Sequence, residues 1–172
     1  MAKPLVGIVM GSDSDYGIME EASDILKQFD VEHEMLVASA HRSPARTRNY
    51  IKKSEKNGVK IFIAGAGSAA HLAGVIAAES TLPVIGVPID SSSLKGLDAL
   101  LSTAQMPGGV PVATMSIGKA GARNAGILAV QILALADAKL HSKLLHYKQY
   151  QAKEVEIKSK KVQAAHARKT KA

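Results

Sequence analysis

The sequence predicts a doubly wound α/β domain around a parallel sheet, and three observations predict it. Short continuous apolar runs recur along the chain, as strands buried on both faces require. Between them lie segments whose apolar residues repeat at helical spacing. Most of the strand-like runs end at a turn of glycine, serine or other small residues, so strand, turn and helix alternate in order. With 172 residues there is room for one well-buried domain.

Leu5 to Met10 is the first strand, ending at Gly11. Gly11-Ser12-Asp13-Ser14-Asp15 turns the chain, and Ile18, Met19, Ala22, Ile25, Leu26 and Phe29 then fall on one helical face. Val31 to Val37 is the second strand and leads into Ser39-Ala40-His41-Arg42-Ser43-Pro44. Pro44 suits the first position of a helix and Ser43 its N-cap, and Asn57-Gly58 closes that helix. Lys60 to Ala64 is the third strand, Gly65-Ala66-Gly67-Ser68 a turn, and Ala69 to Glu79 a helix of small residues. Pro83 to Val87 is the fourth strand. A Ser91-Ser92-Ser93 loop, a short helix at Leu97 to Leu101 and a Met106 to Pro111 loop follow. Val112 to Ile117 is the fifth strand. The helix from Ala120 to Leu135 is apolar almost all round, which favours contact with another subunit on its second face. Asp137 caps a last helix carrying Leu140, Leu144, Leu145 and Tyr147. The apolar pattern thins beyond Gln151, so residues 1–150 read as the domain and residues 151–172 as a lysine-rich tail, frayed or disordered.

The formal charge of +7 belongs mostly to that tail, which carries +5 of it. With aromatic residues at 3%, little base-stacking surface is available, and nucleic acid is not the expected partner. Cysteine is absent, which excludes disulfides, thiolate nucleophiles and thiolate metal sites. No apolar run approaches the ~20 residues of a membrane span, and the start lacks a signal-peptide pattern, so a soluble cytoplasmic protein is expected.

Three turns carry the candidate chemistry. Ser12, Ser14, Asp13 and Asp15 offer hydroxyls, backbone N–H groups and carboxylates for a phosphate and a ribose, although the same residues suit simple helix capping. Arg42 is a bidentate partner for phosphate, and His41 beside it titrates near neutrality. The turn Gly65-Ala66-Gly67-Ser68-Ala69-Ala70-His71 lets a ligand approach the backbone. With Ser68 as N-cap, His71 would lie in the first helical turn, where the dipole favours a neutral imidazole that positions a substrate. All three turns lie at strand ends and should converge on one crevice. His33, His141, His146 and His166 read as structural or solvated, and no histidine pair has metal-site spacing. What remains is non-covalent acid/base chemistry on a phosphorylated small molecule, without a metal.

Gly11 to Asp15, Ser39-Ala40-His41-Arg42 with Pro44, Gly65-Ala66-Gly67 through Ala70-His71-Leu72, Gln105-Met106-Pro107 and Ile117 to Gly121 stand in order. Together they resemble the bacterial N5-carboxyaminoimidazole ribonucleotide mutase family over residues 5 to about 150. The resemblance implies a flavodoxin-like three-layer domain with a central parallel five-stranded sheet, assembled as a homo-octamer with active sites at subunit contacts. It implies transfer of a carboxylate from the exocyclic nitrogen of an aminoimidazole ribonucleotide to ring carbon C4, with no ATP, metal or organic cofactor. It places Ser12, Ser14, Ser39 and Arg42 on the 5′-phosphate, Asp15 on the ribose and His41 as acid/base at the ring. The turn Gly65, Ala66, Gly67, Ser68 to Leu72, with His71, would confine carbon dioxide, while Gln105 and Met106 would close over the base.

Ser68 and Ala73 stand where glycine and proline are expected in this pattern, a change that bears on the rigidity of the turn. The tail has no counterpart. Two alternatives stay open: a carboxylase joining free carbon dioxide to aminoimidazole ribonucleotide, and a non-catalytic binder of phosphoribosyl ligands.

Overall fold

In the computed structural model, which describes residues 3–169, the five strands form one parallel sheet in the order β2-β1-β3-β4-β5. The strands are β1 (Val6–Met10), β2 (His33–Val37), β3 (Ile61–Gly67), β4 (Val84–Ile89) and β5 (Ala113–Thr114). The helices are α1 (Tyr16–Gln28), α2 (Pro44–Asn57), α3 (Leu72–Glu79), α4 (Leu97–Ala104), α5 (Lys119–Ala134) and α6 (Ala138–Lys169). Because the order reverses between β1 and β3, a crevice opens beyond their carboxyl ends, where such sheets bind ligands. Register aligns those ends: Met10 lies opposite Val37 of β2 and Gly65 of β3, and Gly67 lies opposite Ile89 of β4.

The interior strands are apolar because both faces are covered. β1 and β4 are buried along their whole length. On one face Gly65 of β3 lies against Met19 of α1, whose sulfur would stand 2.2 Å from a Cβ there, and α5 packs on α1 where Gly126 meets Ala22 and Ile25. On the other face Ile51 of α2 and Leu72, Ala73 and Ile76 of α3 join Val9, Phe62, Ala64 and Val84 in one core cluster. α4 extends that face: a Cβ at Gly86 would meet both Thr103 of α4 and Ala73 of α3. Burying side chains of this size contributes about 1.5–3 kcal/mol each, so the three layers hold the strand ends rigidly under the crevice.

Several boundaries differ from the sequence reading. Gly65 to Gly67 are not a turn but the end of β3, paired with Val87, Pro88 and Ile89 of an equally extended β4. Small residues are needed there because the backbone runs against Met19 and Ser91. α3 accordingly starts at Leu72, not Ala69. β5 shrinks to two residues, yet the chain stays beside β4: Met115 donates to the Gly86 carbonyl at 2.8 Å and Gly118 to that of Pro88 at 2.9 Å. Gly58, with φ +106°, ends α2 as expected. α5 buries Ala122, Ala125, Ala129 and Val130, whereas Arg123, Asn124 and Gln131 are exposed.

The chain divides into two compact units, Met1–Ile132 and Leu133–Ala172. The second is mainly α6, capped by Asp137, whose Oδ1 accepts from the N–H groups of Lys139 and Leu140 at 2.8 and 3.1 Å. α6 continues past Gln151 to Lys169, through the stretch expected from sequence to be a frayed helix or disordered. Residues 138–169 contain no glycine or proline, and Glu154 and Glu156 stand four residues before Lys158 and Lys160, a spacing that supports an exposed helix. No helix among the described residues is long and apolar enough to cross a membrane.

Candidate active site

A cavity of about 300 Å³ sits at the switch point, lined by the turns that follow β1, β2, β3 and β4. The first turn is a network closed on itself. Ser12 caps a short 3₁₀ turn, and the Asp15 carboxylate accepts from the Ser12 N–H at 3.1 Å, completing a capping box. Ser14 Oγ donates to Ser12 Oγ at 3.0 Å, while Asp13 Oδ1 accepts from Ser12 Oγ and from the Ser14 N–H, both at 3.1 Å. The groups that the sequence offers to a ligand are thus the ones that cap this turn. Burial, the dominant cause, holds the Asp15 carboxyl above its ordinary 3.8, against the lowering pull of Ser12, Ser14 and the Arg42 guanidinium.

The second turn is knotted around Ser39. Its carbonyl accepts from Ser43 N–H at 3.0 Å, Ser43 Oγ at 3.1 Å and the buried Thr47 Oγ1 at 3.3 Å, and its Oγ accepts from the Arg42 N–H at 3.1 Å. Ser43 stands at the N-cap of α2 but makes no capping bond; its hydroxyl is turned back to accept from the Ser39 N–H at 3.0 Å. Arg42 reaches across to the first turn, donating through Nη2 to the Gly11 carbonyl at 3.0 Å. One edge of the guanidinium is thereby anchored, and its remaining donors are the kind of group that could pair with an anion.

The third turn is of a different kind. Ser68 has φ +54°, a left-handed conformation that suits the glycine expected there. The Ala70 N–H donates to Ser102 Oγ of α4 at 3.0 Å, fixing the turn from behind. His71, and not Ser68, occupies the N-cap of α3. The His71 ring stands edge-on to that of His41, with centroids 5.0 Å apart and His41 Nε2 2.9 Å from His71 Nδ1. The two histidines singled out from sequence therefore form one hydrogen-bonded pair.

Ser12, Ser14, Asp15, Ser39, His41, Arg42, Ala66, Gly67, His71 and Leu72 line this cavity, whereas Gly65, Ser68, Gln105 and Met106 do not. Gly65 packs on Met19, Gln105 is exposed at the C-cap of α4, and Met106 lies against α3, its sulfur 3.1 Å from where a Cβ on Gly74 would be. Ser91 lines the cavity and was missed, although it follows the end of β4 and the strand-end rule points to it. Arg46 was missed as well. It joins Asp13, Val37 and Ser43 along an open groove that shares Gly11, Ser12, Ser39 and Arg42 with the cavity. His33 is structural: its Nδ1 is 2.9 Å from the Val31 carbonyl and its Nε2 2.7 Å from Ser23 Oγ, so the ring donates at the first contact and accepts at the second. His141, His146 and His166 are exposed on α6. Among the described residues, no group of three or more histidine or acidic side chains is placed to hold a metal ion.

A flavodoxin-order sheet thus carries serines, an anchored arginine and a histidine pair at its switch point, groups whose chemistry could hold an anion and move protons. Residues 5–154 match the family model described as AIR carboxylase, and the chain belongs to that family. It is 58% identical over 142 residues to a Bacillus subtilis protein named N5-carboxyaminoimidazole ribonucleotide mutase, covering 83% of this chain and 88% of the relative. A Pyrococcus horikoshii protein of the same name is 51% identical over 161 residues, covering 94% and 90%. The crystal structure of Treponema denticola PurE is similar with a TM-score of 0.81 at 30% identity, over 89% of this chain and 94% of that one.

Proposed function

We propose that the protein is an isomerase of purine biosynthesis that converts N5-carboxyaminoimidazole ribonucleotide to 4-carboxy-5-aminoimidazole ribonucleotide. The observation that carries the reading is the His41–His71 contact beside Arg42 at the sheet's switch point, and the names of the relatives support it. Ser12, Ser14, Ser39 and Arg42 hold the 5′-phosphate, Asp15 takes the ribose, and the ring lies toward His41. There the N5 carboxylate leaves as carbon dioxide, C4 attacks it, and His41 removes the C4 proton. Ala66 and Gly67 at the end of β3, with the turn from Ala69 to Leu72, keep carbon dioxide in place, their small side chains leaving it room. The reaction draws on no ATP, metal or organic cofactor.

Gln105 and Met106 lie outside their own chain's cavity, so in this reading they close over the base from a second copy, in a homo-oligomer that the family resemblance makes an octamer. Residues 1–150 are the catalytic part and residues 151–172 lie outside it, in keeping with a family match that ends at residue 154. The working compartment is the cytoplasm. A single-turnover assay with N5-carboxyaminoimidazole ribonucleotide and no ATP tests the reading; formation of the C4 product is expected. Efficient carboxylation of aminoimidazole ribonucleotide at physiological bicarbonate would replace it with the carboxylase.

A further inference from the structure

Resting on the mutase reading just stated, we infer that Arg46 is a second substrate-binding cation, which closes over the outer side of the 5′-phosphate from the first turn of α2. The cavity and the open groove beside it meet at Gly11, Ser12, Ser39 and Arg42, which line both. Ser12, Ser39 and Arg42 are also three of the four side chains that the reading gives to the phosphate. The phosphate therefore lies at the junction. His41 and His71 line the cavity alone, so the ring points one way, and Arg46 lines the groove alone, so the outward oxygens of the phosphate face it.

Charge makes the second cation necessary. Asp13 lines the same groove, and its Oδ1 already accepts from Ser12 Oγ and from the Ser14 N–H, both at 3.1 Å. That carboxylate repels a phosphate and occupies two donors the phosphate would use. Arg42 and Asp13 by themselves leave the groove neutral, and Arg46 is the side chain that makes it positive. Arg46 is free to act. Its neighbour Arg48 is paired with Glu79 of α3 at 3.4 Å, whereas no hydrogen bond or ion pair among the described residues engages the Arg46 guanidinium. Helix stability does not account for it either: Arg46 is the third residue of α2, a cation at the positive end of the dipole, in a first turn without an acid. A phosphate next to it turns that conflict into an attraction. The guanidinium offers paired N–H donors to phosphate oxygens from the end of a long, exposed side chain. Arg42 is anchored through the Gly11 carbonyl and Arg46 has no such anchor, so its contribution is the smaller of the two.

The test is Arg46→Gln in the full chain, with Arg46→Lys beside it. Two readouts are taken: steady-state turnover of N5-carboxyaminoimidazole ribonucleotide, and the affinity of 4-carboxy-5-aminoimidazole ribonucleotide and of its riboside, which lacks the phosphate, measured as competitive inhibition. For Arg46→Gln, KM and the nucleotide inhibition constant rise about 5- to 10-fold, between the worth of an exposed ion pair and that of a hydrogen bond to a charged group, while kcat and riboside affinity hold. Arg46→Lys, which keeps the charge without the paired donors, falls between Arg46→Gln and the wild type. Added salt narrows the gap between wild type and Arg46→Gln, and Asp13→Asn in the Arg46→Gln chain recovers part of the loss by removing the opposing charge. Arg48→Gln, the charge control, leaves KM unchanged. An unchanged nucleotide affinity in Arg46→Gln, an equal loss for the riboside, a loss confined to kcat, or the same rise in Arg48→Gln overturns the assignment, while turnover by the wild type keeps the mutase reading standing. Absence of turnover by the wild type removes the mutase reading, and the Arg46 contact with it.

Discussion

The turn after β1 and the turn after β3 line the same crevice and are built on opposite plans. In the first, Ser12, Asp13, Ser14 and Asp15 satisfy one another through their own side chains. In the third, Ala66, Gly67, Ala69 and Ala70 bring almost no side-chain polarity, and the titratable side chain is that of His71, in contact with His41. The difference teaches how one small cavity serves two demands. In the proposed function a phosphate needs many donors held ready, and the capping network is what would keep them ordered before it binds. A transient molecule of carbon dioxide, in the proposed reaction, needs space and apolar walls, which polar side chains would spoil.

The sharpest break in this comparison is His41→Asn. It should lower kcat by roughly 10²–10⁴-fold and leave ligand affinity nearly unchanged, as read by steady-state kinetics and equilibrium binding; equal losses in both would put His41 at the phosphate end instead. Arg42→Gln should do the reverse. Losing hydrogen bonds to a charged group costs about 1.5–3 kcal/mol, a rise in KM of roughly 10- to 100-fold with kcat held. Gly67→Ala tests whether the third turn needs its bareness. A Cβ there would stand 1.7 Å from Ser91 Oγ and 2.7 Å from Ser91 Cβ, so the variant should lose about 1–3 kcal/mol in urea denaturation. Ser91→Gly in the same chain should restore much of that, because it removes the two closest atoms and leaves the Ile89 carbonyl, at 3.1 Å, as the next nearest of those three contacts.

Asp15 probes the opposite turn through pH. Its carboxyl is easier to protonate folded than unfolded, so the folded state binds more protons across the window that opens near 3.8 and closes at the raised folded value. Stability is therefore lost as pH rises through that window. Asp15→Asn removes the loss, and the variant should gain on the wild type as urea midpoints are followed upward in pH; a parallel pair of curves would show that burial does not govern this carboxyl. The smallest effect is expected from Ser68→Gly. Relief of the left-handed backbone at φ +54°, offset by the glycine's freedom when unfolded, should raise the melting temperature by the equivalent of about 1 kcal/mol or less.

These two regions also mark how far the sequence could be read. The strand-end turns were legible because glycine, serine and proline interrupt long apolar runs, and His41, Arg42 and His71 emerged as the only such groups clustered at those ends. The extent of β3 was not legible, since Gly65, Ala66 and Gly67 carry turn composition; the space left by Met19 and Ser91, a tertiary fact, makes them strand. Ser43 was legible as an N-cap by position, but its hydroxyl serves Ser39 instead. The direct bond between the histidines joins residues thirty positions apart and has no local signal. Gln105 and Met106 show the same boundary from the other side: the motif placed them at the site, and the fold sets them outside its cavity.

The most direct test of the confined transfer follows the carbon itself. Unlabelled N5-carboxyaminoimidazole ribonucleotide is turned over in a solution of ¹³C-bicarbonate, and the C4 carboxylate of the product is analysed by mass spectrometry. A crevice that releases and recaptures its own carbon dioxide yields product without ¹³C, whereas product labelled to the level of the bicarbonate pool would show that the carbon comes from solution and contradict the account.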